Sequence, residues 1–165
     1  MAKNLDITYH KTPIGIAKIT GDKNGIQSVS VLDNDAISEE NLNLETPKIL
    51  QECVTQLKEY FNGKRASFNL ILNPKGTPFQ KKVWKELLNI PYGKTRTYLQ
   101  QSKALGDVKA IRAVASANGK NPLWIVIPCH RVIGTDGSLT GYAGGIWRKK
   151  WLLAHENPVK QQSLF

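Results

Sequence analysis

The sequence predicts an α/β N-terminal domain followed by a mostly α-helical C-terminal domain that carries a helix-turn-helix. Three features carry that expectation. Runs rich in β-branched residues, 8–19 and 26–32, precede one amphipathic helix. The segment Asn73-Pro74-Lys75-Gly76 then breaks the pattern as a linker would, which divides the chain into residues 1–75 and 76–165. After it come two helix-start signals and two short helices meeting at Gly106-Asp107.

The elements follow in order. The first run is interrupted by Pro13-Ile14-Gly15, and the turn residues Gly21, Asp22, Lys23, Asn24 and Gly25 separate it from the second. Residues 33–45 are polar and read as a loop. Pro47 opens a helix, since proline suits a first turn. Its apolar positions Ile49, Leu50, Cys53, Val54, Leu57 and Phe61 share a face, and Asn62-Gly63 stops it. Cys53 therefore reads as an inert core thiol. Thr77-Pro78-Phe79-Gln80 has the capping-box pattern, and the helix behind it presents Phe79, Val83, Trp84, Leu87 and Leu88 to a core. Pro91-Tyr92-Gly93-Lys94 makes a turn. Thr97-Tyr98-Leu99-Gln100 is a second capping box, opening a helix to Leu105. Gly106-Asp107 ends it and caps the next, which stops at Gly119. Residues 123–127 form an apolar, strand-like run. Asp136-Gly137 reads as a hairpin turn, and a last helix runs from Ile146 to about Glu156, ahead of Asn157-Pro158.

Composition narrows the function. The chain has 165 residues, 41% of them apolar, enough for a real core. Its net charge is +10, spread without a basic tail, which suits a polyanionic partner such as nucleic acid. Only two cysteines occur, Cys53 and Cys129, and the three histidines, His10, His130 and His155, are far apart. That argues against a disulfide scaffold and against a metal site, and for a reducing compartment. The start lacks an apolar signal core and no run approaches membrane-spanning length, so a cytoplasmic or otherwise intracellular protein is expected, with no membrane contact.

The chemistry concentrates in Ile127-Pro128-Cys129-His130-Arg131-Val132. Proline turns the chain where the apolar run ends, and the thiol lies at that turn. His130 and Arg131 beside it supply proton handling and positive charge, which favour the nucleophilic thiolate. Adjacent side chains in an extended segment point to opposite faces, so His130 would reach the sulfur through a water. The second helix of the pair sorts its residues by face. Val108, Ile111 and Val114 form an apolar stripe, Ala110, Ala113 and Ala117 a face with little bulk, and Lys109, Arg112 and Ser116 a polar edge. Such a face permits a close approach to DNA with one probing arginine, or plain packing against another helix.

Several blocks together closely resemble the O6-alkylguanine-DNA alkyltransferases. They are Pro128-Cys129-His130-Arg131-Val132 with Asn121-Pro122 ahead of it, Tyr98, Arg112-Ala113-Val114, Gly141-Tyr142-Ala143-Gly144-Gly145 and Trp151-Leu152-Leu153-Ala154-His155-Glu156. The resemblance is dense from 79 to 156 and weak before. It implies a ribonuclease-H-like N-terminal domain and a C-terminal domain with the helix-turn-helix and the active thiol. It implies a monomer that binds double-stranded DNA through the minor groove and swings the alkylated base out of the stack. Cys129 would be the nucleophile, His130 the base acting through a water, Glu156 its orienter, and Asn121 a brace for the turn. Arg112 would fill the vacated stack, with Lys109, Ala113, Ser116 and Arg131 as further DNA contacts. Tyr98 would help turn the nucleotide and hydrogen-bond the guanine, Val132 would offer its carbonyl to the base, and Tyr142 would line the pocket. Ala143 stands where some relatives place serine, which leaves room for O4-alkylthymine or larger alkyl groups. The structural zinc of some relatives is not carried over, since only Cys53 and His10 lie in the region that would hold it.

The implied reaction transfers an alkyl group irreversibly to Cys129. A thioether has no activated carbonyl for water to attack, so one chain repairs one lesion and no cofactor is needed. Three alternatives stay open. A non-enzymatic damage binder would replace the cysteine that is present here. A transcription regulator would need a dimer and base-reading side chains on its recognition helix. A cysteine hydrolase leaves the basic charge and Arg112 without a role.

Overall fold

In the computed structural model, residues 4–157 are described, and two compact units meet at the Lys75–Gly76 bond. Met1, Ala2, Lys3 and Pro158 lie outside the described residues.

The N-terminal unit is a meander of three antiparallel strands, β1 (Asp6–Thr12), β2 (Gly15–Asp22) and β3 (Gly25–Leu32), in the order β1-β2-β3. The long first run is thus two strands, folded back where Thr12 pairs with Gly15. The expected loop 33–45 contains one helical turn, α1 (Glu39–Leu42), capped by the Ser38 hydroxyl. Helix α2 (Lys48–Phe61) packs on β1 and β2. Its buried face is Leu50, Cys53, Gln56, Leu57 and Tyr60, rotated from the stripe read from the sequence. Ile49 is instead 43% exposed. Gln56 can be buried because its amide acts as a backbone surrogate. It donates to the Asn69 carbonyl and accepts from the Asn69 N–H, at 3.0 and 2.9 Å. The Cys53 thiol is wholly buried, and burial pushes its pKa up to about 12.

The C-terminal unit is mostly helical. Helix α3 (Pro78–Leu87) and helix α4 (Tyr98–Ala104) both start on complete capping boxes, at Thr77/Gln80 and Thr97/Gln100. Phe79 and Leu88, read as core, are 41% and 49% exposed, because the buried side of α3 is Val83, Trp84 and Leu87. The Trp84 indole donates to the Ala117 carbonyl at 2.8 Å. Gly106 takes φ +87°, which a glycine adopts without strain, and turns α4 toward α5 (Ile111–Gly119) through one 3₁₀ turn, Val108–Ala110. Gln101 and Asn118 fix the pair by exchanging two buried amide hydrogen bonds, at 2.8 and 2.7 Å. Val108 is exposed and Ala117 buried, so the inward face of α5 is Val114, Ala117 and Asn118 rather than the stripe expected.

Residues 123–127 are not a strand. They fold into a buried, irregular turn in which Ile125 takes φ +72°, a strained value for a β-branched residue. Its apolar side chains mark burial, and periodicity cannot tell a buried turn from a buried strand. Two short parallel strands, β4 (Arg96–Thr97) and β5 (Val132–Ile133), tie the segment after Cys129 to the start of α4. The Asp136-Gly137 turn forms, with the Gly134 N–H donating to the Ser138 carbonyl, but no strands flank it as a hairpin. Helix α6 (Ile146–Glu156) closes the unit. Among the described residues no helix is long and apolar enough to cross a membrane.

Candidate active site

Asn121 builds the turn that presents the thiol. Its amide donates to the carbonyls of Ile127, at 2.8 Å, and Leu123, at 3.3 Å, and its oxygen accepts from the Leu123 N–H at 2.9 Å. One buried side chain thus replaces the backbone ladder that a strand would have supplied, and holds Ile125 in its strained conformation. It also hydrogen-bonds Cys129 and favours the thiolate. Asn121→Ala removes these bonds and orphans buried backbone groups. A loss of about 2–3 kcal/mol in stability, read by denaturant titration, is the expected result.

Cys129, His130 and Arg131 form one 3₁₀ turn rather than an extended segment. All three are buried, and Cys129 is 8% exposed. Glu156, from the end of α6, reaches this turn and binds two of its side chains. Its carboxylate accepts from His130 Nε2 at 2.7 Å and from Arg131 Nε and Nη2 at 2.7 and 3.0 Å. Arg131 Nη1 donates to the Ile90 carbonyl at 2.7 Å. The Arg131 guanidinium is therefore committed inside the unit, and the expectation that it contacts DNA is corrected. Its task is to hold Glu156, which a surface reading of a basic side chain does not disclose.

The electrostatics of the group are consistent. Burial opposes ionisation of Glu156, but its partners outweigh it, His130 by its charge once protonated and by its hydrogen bond, Arg131 by hydrogen bonds and charge, and hold the carboxyl well below the usual range. An ionised carboxylate only accepts, so His130 carries its hydrogen on Nε2. Burial lowers the His130 pKa, with Glu156 pulling the other way, so the ring is neutral at neutral pH. Its Nδ1 then bears a lone pair and has no hydrogen-bond partner among the described residues. Burial raises the Cys129 thiol, while Asn121 and the Lys149 charge lower it.

Beside this group lies a cavity of about 580 Å³, a size suited to a small organic ligand. Its walls include Tyr98 from α4, Arg112 and Ala115 from α5, and Thr140, Tyr142 and Ala143 from the loop before α6. Cys129 is not on the wall, but the two tyrosines that are both feel its charge when it ionises. The Tyr98 hydroxyl donates to the Thr140 carbonyl at 3.2 Å. The Tyr142 hydroxyl is buried and has no partner among the described residues. Gly144 lets this loop close, since a Cβ there would fall 2.9 Å from the rings of Trp124 and Tyr142.

The remaining sequence-derived residues divide by place. Lys109, Arg112, Ala113 and Ser116 are exposed around the start and middle of α5. Val132 is wholly buried in β5, paired with Arg96. Two buried cations of α6, Arg148 and Lys149, escaped the sequence reading. The signal for Lys149 was its place on the inward helical face with Leu152 and Glu156, three and seven positions on.

Two family models match the chain. One, described as 6-O-methylguanine DNA methyltransferase, DNA binding domain, matches residues 78–158. The other, the ribonuclease-like domain of the same family, matches residues 6–74. A methylated-DNA–protein-cysteine methyltransferase of Methanosarcina barkeri is 46% identical over 147 residues, covering 88% of this chain and 93% of that one. The constitutive one of Bacillus subtilis is 44% identical over 142 residues, covering 83% and 86%. The crystal structure of Mycobacterium tuberculosis O6-methylguanine methyltransferase superposes with a TM-score of 0.81 at 38% identity, covering 94% of each chain. A complex of the Mycobacterium tuberculosis protein with DNA gives 0.80 at 40% identity, covering 91% and 92%.

Proposed function

Because this chain belongs to the 6-O-methylguanine DNA methyltransferase family, we propose that Cys129 is the acceptor through which it repairs alkylated duplex DNA. The activity is DNA repair by transfer of an alkyl group from a damaged base to a cysteine of the protein itself. The observation that carries the choice of Cys129 is the neighbouring His130–Glu156 pair, with Nδ1 left as a lone pair. Cys53, the other cysteine, is sealed in a core with its thiol at about 12.

In this reading Glu156 fixes the Nε2 proton and Nδ1 takes the thiol proton through one water. The thiolate attacks the alkyl carbon. The S–C bond forms as the C–O bond breaks, and its electron pair passes to the guanine oxygen. Donors at the cavity wall, the Tyr98 hydroxyl or the Ala143 backbone N–H, stabilise that oxygen. The proton held by His130 returns to the purine, which leaves as ordinary guanine. Tyr98 exchanges its hydrogen bond to Thr140 for one to the incoming base, Tyr142 walls the base, and the Val132 carbonyl accepts from its amino group. Ala143 presents only a methyl group, which admits O4-alkylthymine or larger alkyl groups.

Every group in this scheme comes from residues 98–156 of one chain, so a monomer suffices. No cofactor is required. Both cysteines are free, in keeping with the reducing cytoplasm. Lys109, Arg112, Ala113 and Ser116 form the face that meets the minor groove of DNA, where small residues allow close approach. Extruding a base costs a few kcal/mol. Arg112→Ala, losing the side chain that fills the gap, slows repair in duplex DNA by about tenfold or more. Reaction with the free modified base, timed in parallel, changes little; equal slowing of both would count against the role.

Incubation with a large excess of duplex carrying labelled O6-methylguanine tests the reading. Transfer stops at one methyl per chain. Continued turnover would overturn it.

A further inference from the structure

Gly144 is a joint between the cavity wall, the turn that presents the thiol, and helix α6. It directly follows the wall residues Tyr142 and Ala143. Its backbone lies so close to its neighbours that a Cβ would fall 3.3 Å from Arg148 Cδ as well as against the rings of Trp124 and Tyr142. Trp124 belongs to the turn built by Asn121, and its ring centre stands 5.7 Å from that of Tyr142. Arg148 makes the tie from the helix. Its Nη1 donates to the Gly144 carbonyl at 3.0 Å, and its guanidinium carbon lies 4.5 Å from the centre of the Trp147 ring. Arg148 is 7% exposed, whereas the indole laid against it is 55% exposed.

We propose that Arg148 is a positioning residue of the transfer reaction, clamped against Trp147 and bonded to the Gly144 carbonyl so that Tyr142 and Ala143 stay seated beside the thiol turn when an alkylated base enters. This deepens the reading of the cavity as the pocket for that base and rests on it. Three features support the assignment. First, the wall needs a restraint from outside itself. Gly141, Gly144 and Gly145 flank its two residues, and glycine backbone is the least constrained by sterics. The Tyr142 hydroxyl adds no anchor, since it has no hydrogen-bond partner among the described residues.

Second, the tie uses what distinguishes arginine from lysine. A planar guanidinium can donate in its plane to a carbonyl while its face lies on an aromatic ring, and a charged donor makes the stronger hydrogen bond. The tryptophan thus has a task at a place where an exposed indole otherwise has none. Third, the cation reaches the residue that it positions. Burial raises the Tyr142 phenol well above its ordinary range, and the Arg148 charge works against that rise.

The test compares two reagents on the full chain, with adducts located by mass. One is free O6-benzylguanine, a base that must seat in the pocket and whose benzylic carbon is open to displacement. The other is iodoacetamide, which is small enough to reach the sulfur without being held by the wall. In Arg148→Ala, benzyl transfer to Cys129 slows about tenfold or more, the cost of a misplaced reactant. Carboxamidomethylation of Cys129 is not slowed. Trp147→Ala removes an exposed side chain and slows transfer about threefold or more. Trp147→Phe keeps a ring face and recovers most of the lost rate. Unchanged transfer in Trp147→Ala overturns the proposal, a comparison that stands even where Arg148→Ala does not fold. So does equal slowing of both reagents, which would place the effect on the thiol rather than on the wall. A benzyl group found away from Cys129 in the unaltered protein would instead sink the acceptor reading itself.

Discussion

Cys129→Ala abolishes methyl transfer and leaves duplex DNA affinity within a few-fold of the unaltered protein. The sulfur is the only group in the scheme that forms a bond to the alkyl carbon, so its removal leaves no slower route. DNA affinity, in contrast, rests on phosphate neutralisation by surface cations. Lys109, Arg112 and their neighbours on α5 are exposed, whereas Cys129 is 8% exposed and off the cavity wall. Replacing the thiol by a methyl group alters packing slightly, and a stability change of about 1 kcal/mol is expected. Labelled-methyl transfer and salt-titrated binding measured side by side check both halves. Residual transfer would move the acceptor elsewhere, and a collapse of binding would give the thiol a structural role.

Glu156→Gln combines a large loss of rate with a large loss of stability. The carboxylate takes three hydrogen bonds from His130 and Arg131 and is the counter-charge of a buried guanidinium. Glutamine keeps the shape and drops the charge. Breaking a buried pair by removing one partner costs about 3–5 kcal/mol. The amide can also donate to His130, which allows the other tautomer and takes the lone pair from Nδ1. General-base assistance of about 10²-fold or more is then lost. Single-turnover kinetics and thermal unfolding report the two effects separately. A rate within a few-fold of the unaltered protein would contradict the role of the pair.

The same groups give a signed pH dependence of stability. Glu156 is depressed in the folded state, so its contribution is complete above its ordinary value of 4.5 and is lost as pH falls below it. His130 is also depressed, so folding resists its protonation, and stability begins to fall as pH drops below 6.5. Acidification therefore destabilises in two stages. Glu156→Gln should lack the lower one.

Much of this was legible in the sequence because it is local. Two capping boxes and a glycine turn act over four residues or fewer, and each forms where the sequence places it. Thr77, Thr97 and Gly106 are examples. The Cys129–His130 block stood out in the sequence as candidate chemistry, a thiol between a proline and a histidine. What was hidden depends on partners distant in sequence. The register of α2 turns on Gln56, whose burial depends on Asn69. Residues 123–127 pass for a strand until the Asn121 side chain supplies their hydrogen bonds. Arg131 reads as a surface cation until α6 brings Glu156 to it, and Lys149 as solvated charge until the Thr140 carbonyl meets it.

One determination bears on all of this: after reaction with O6-methylguanine duplex, the peptides of the protein are weighed and the methyl group located. The expected result is a single added methyl on the Cys129 sulfur, with Cys53 untouched. A methyl group on any other residue, or none on the protein while the base is restored, would contradict the mechanism.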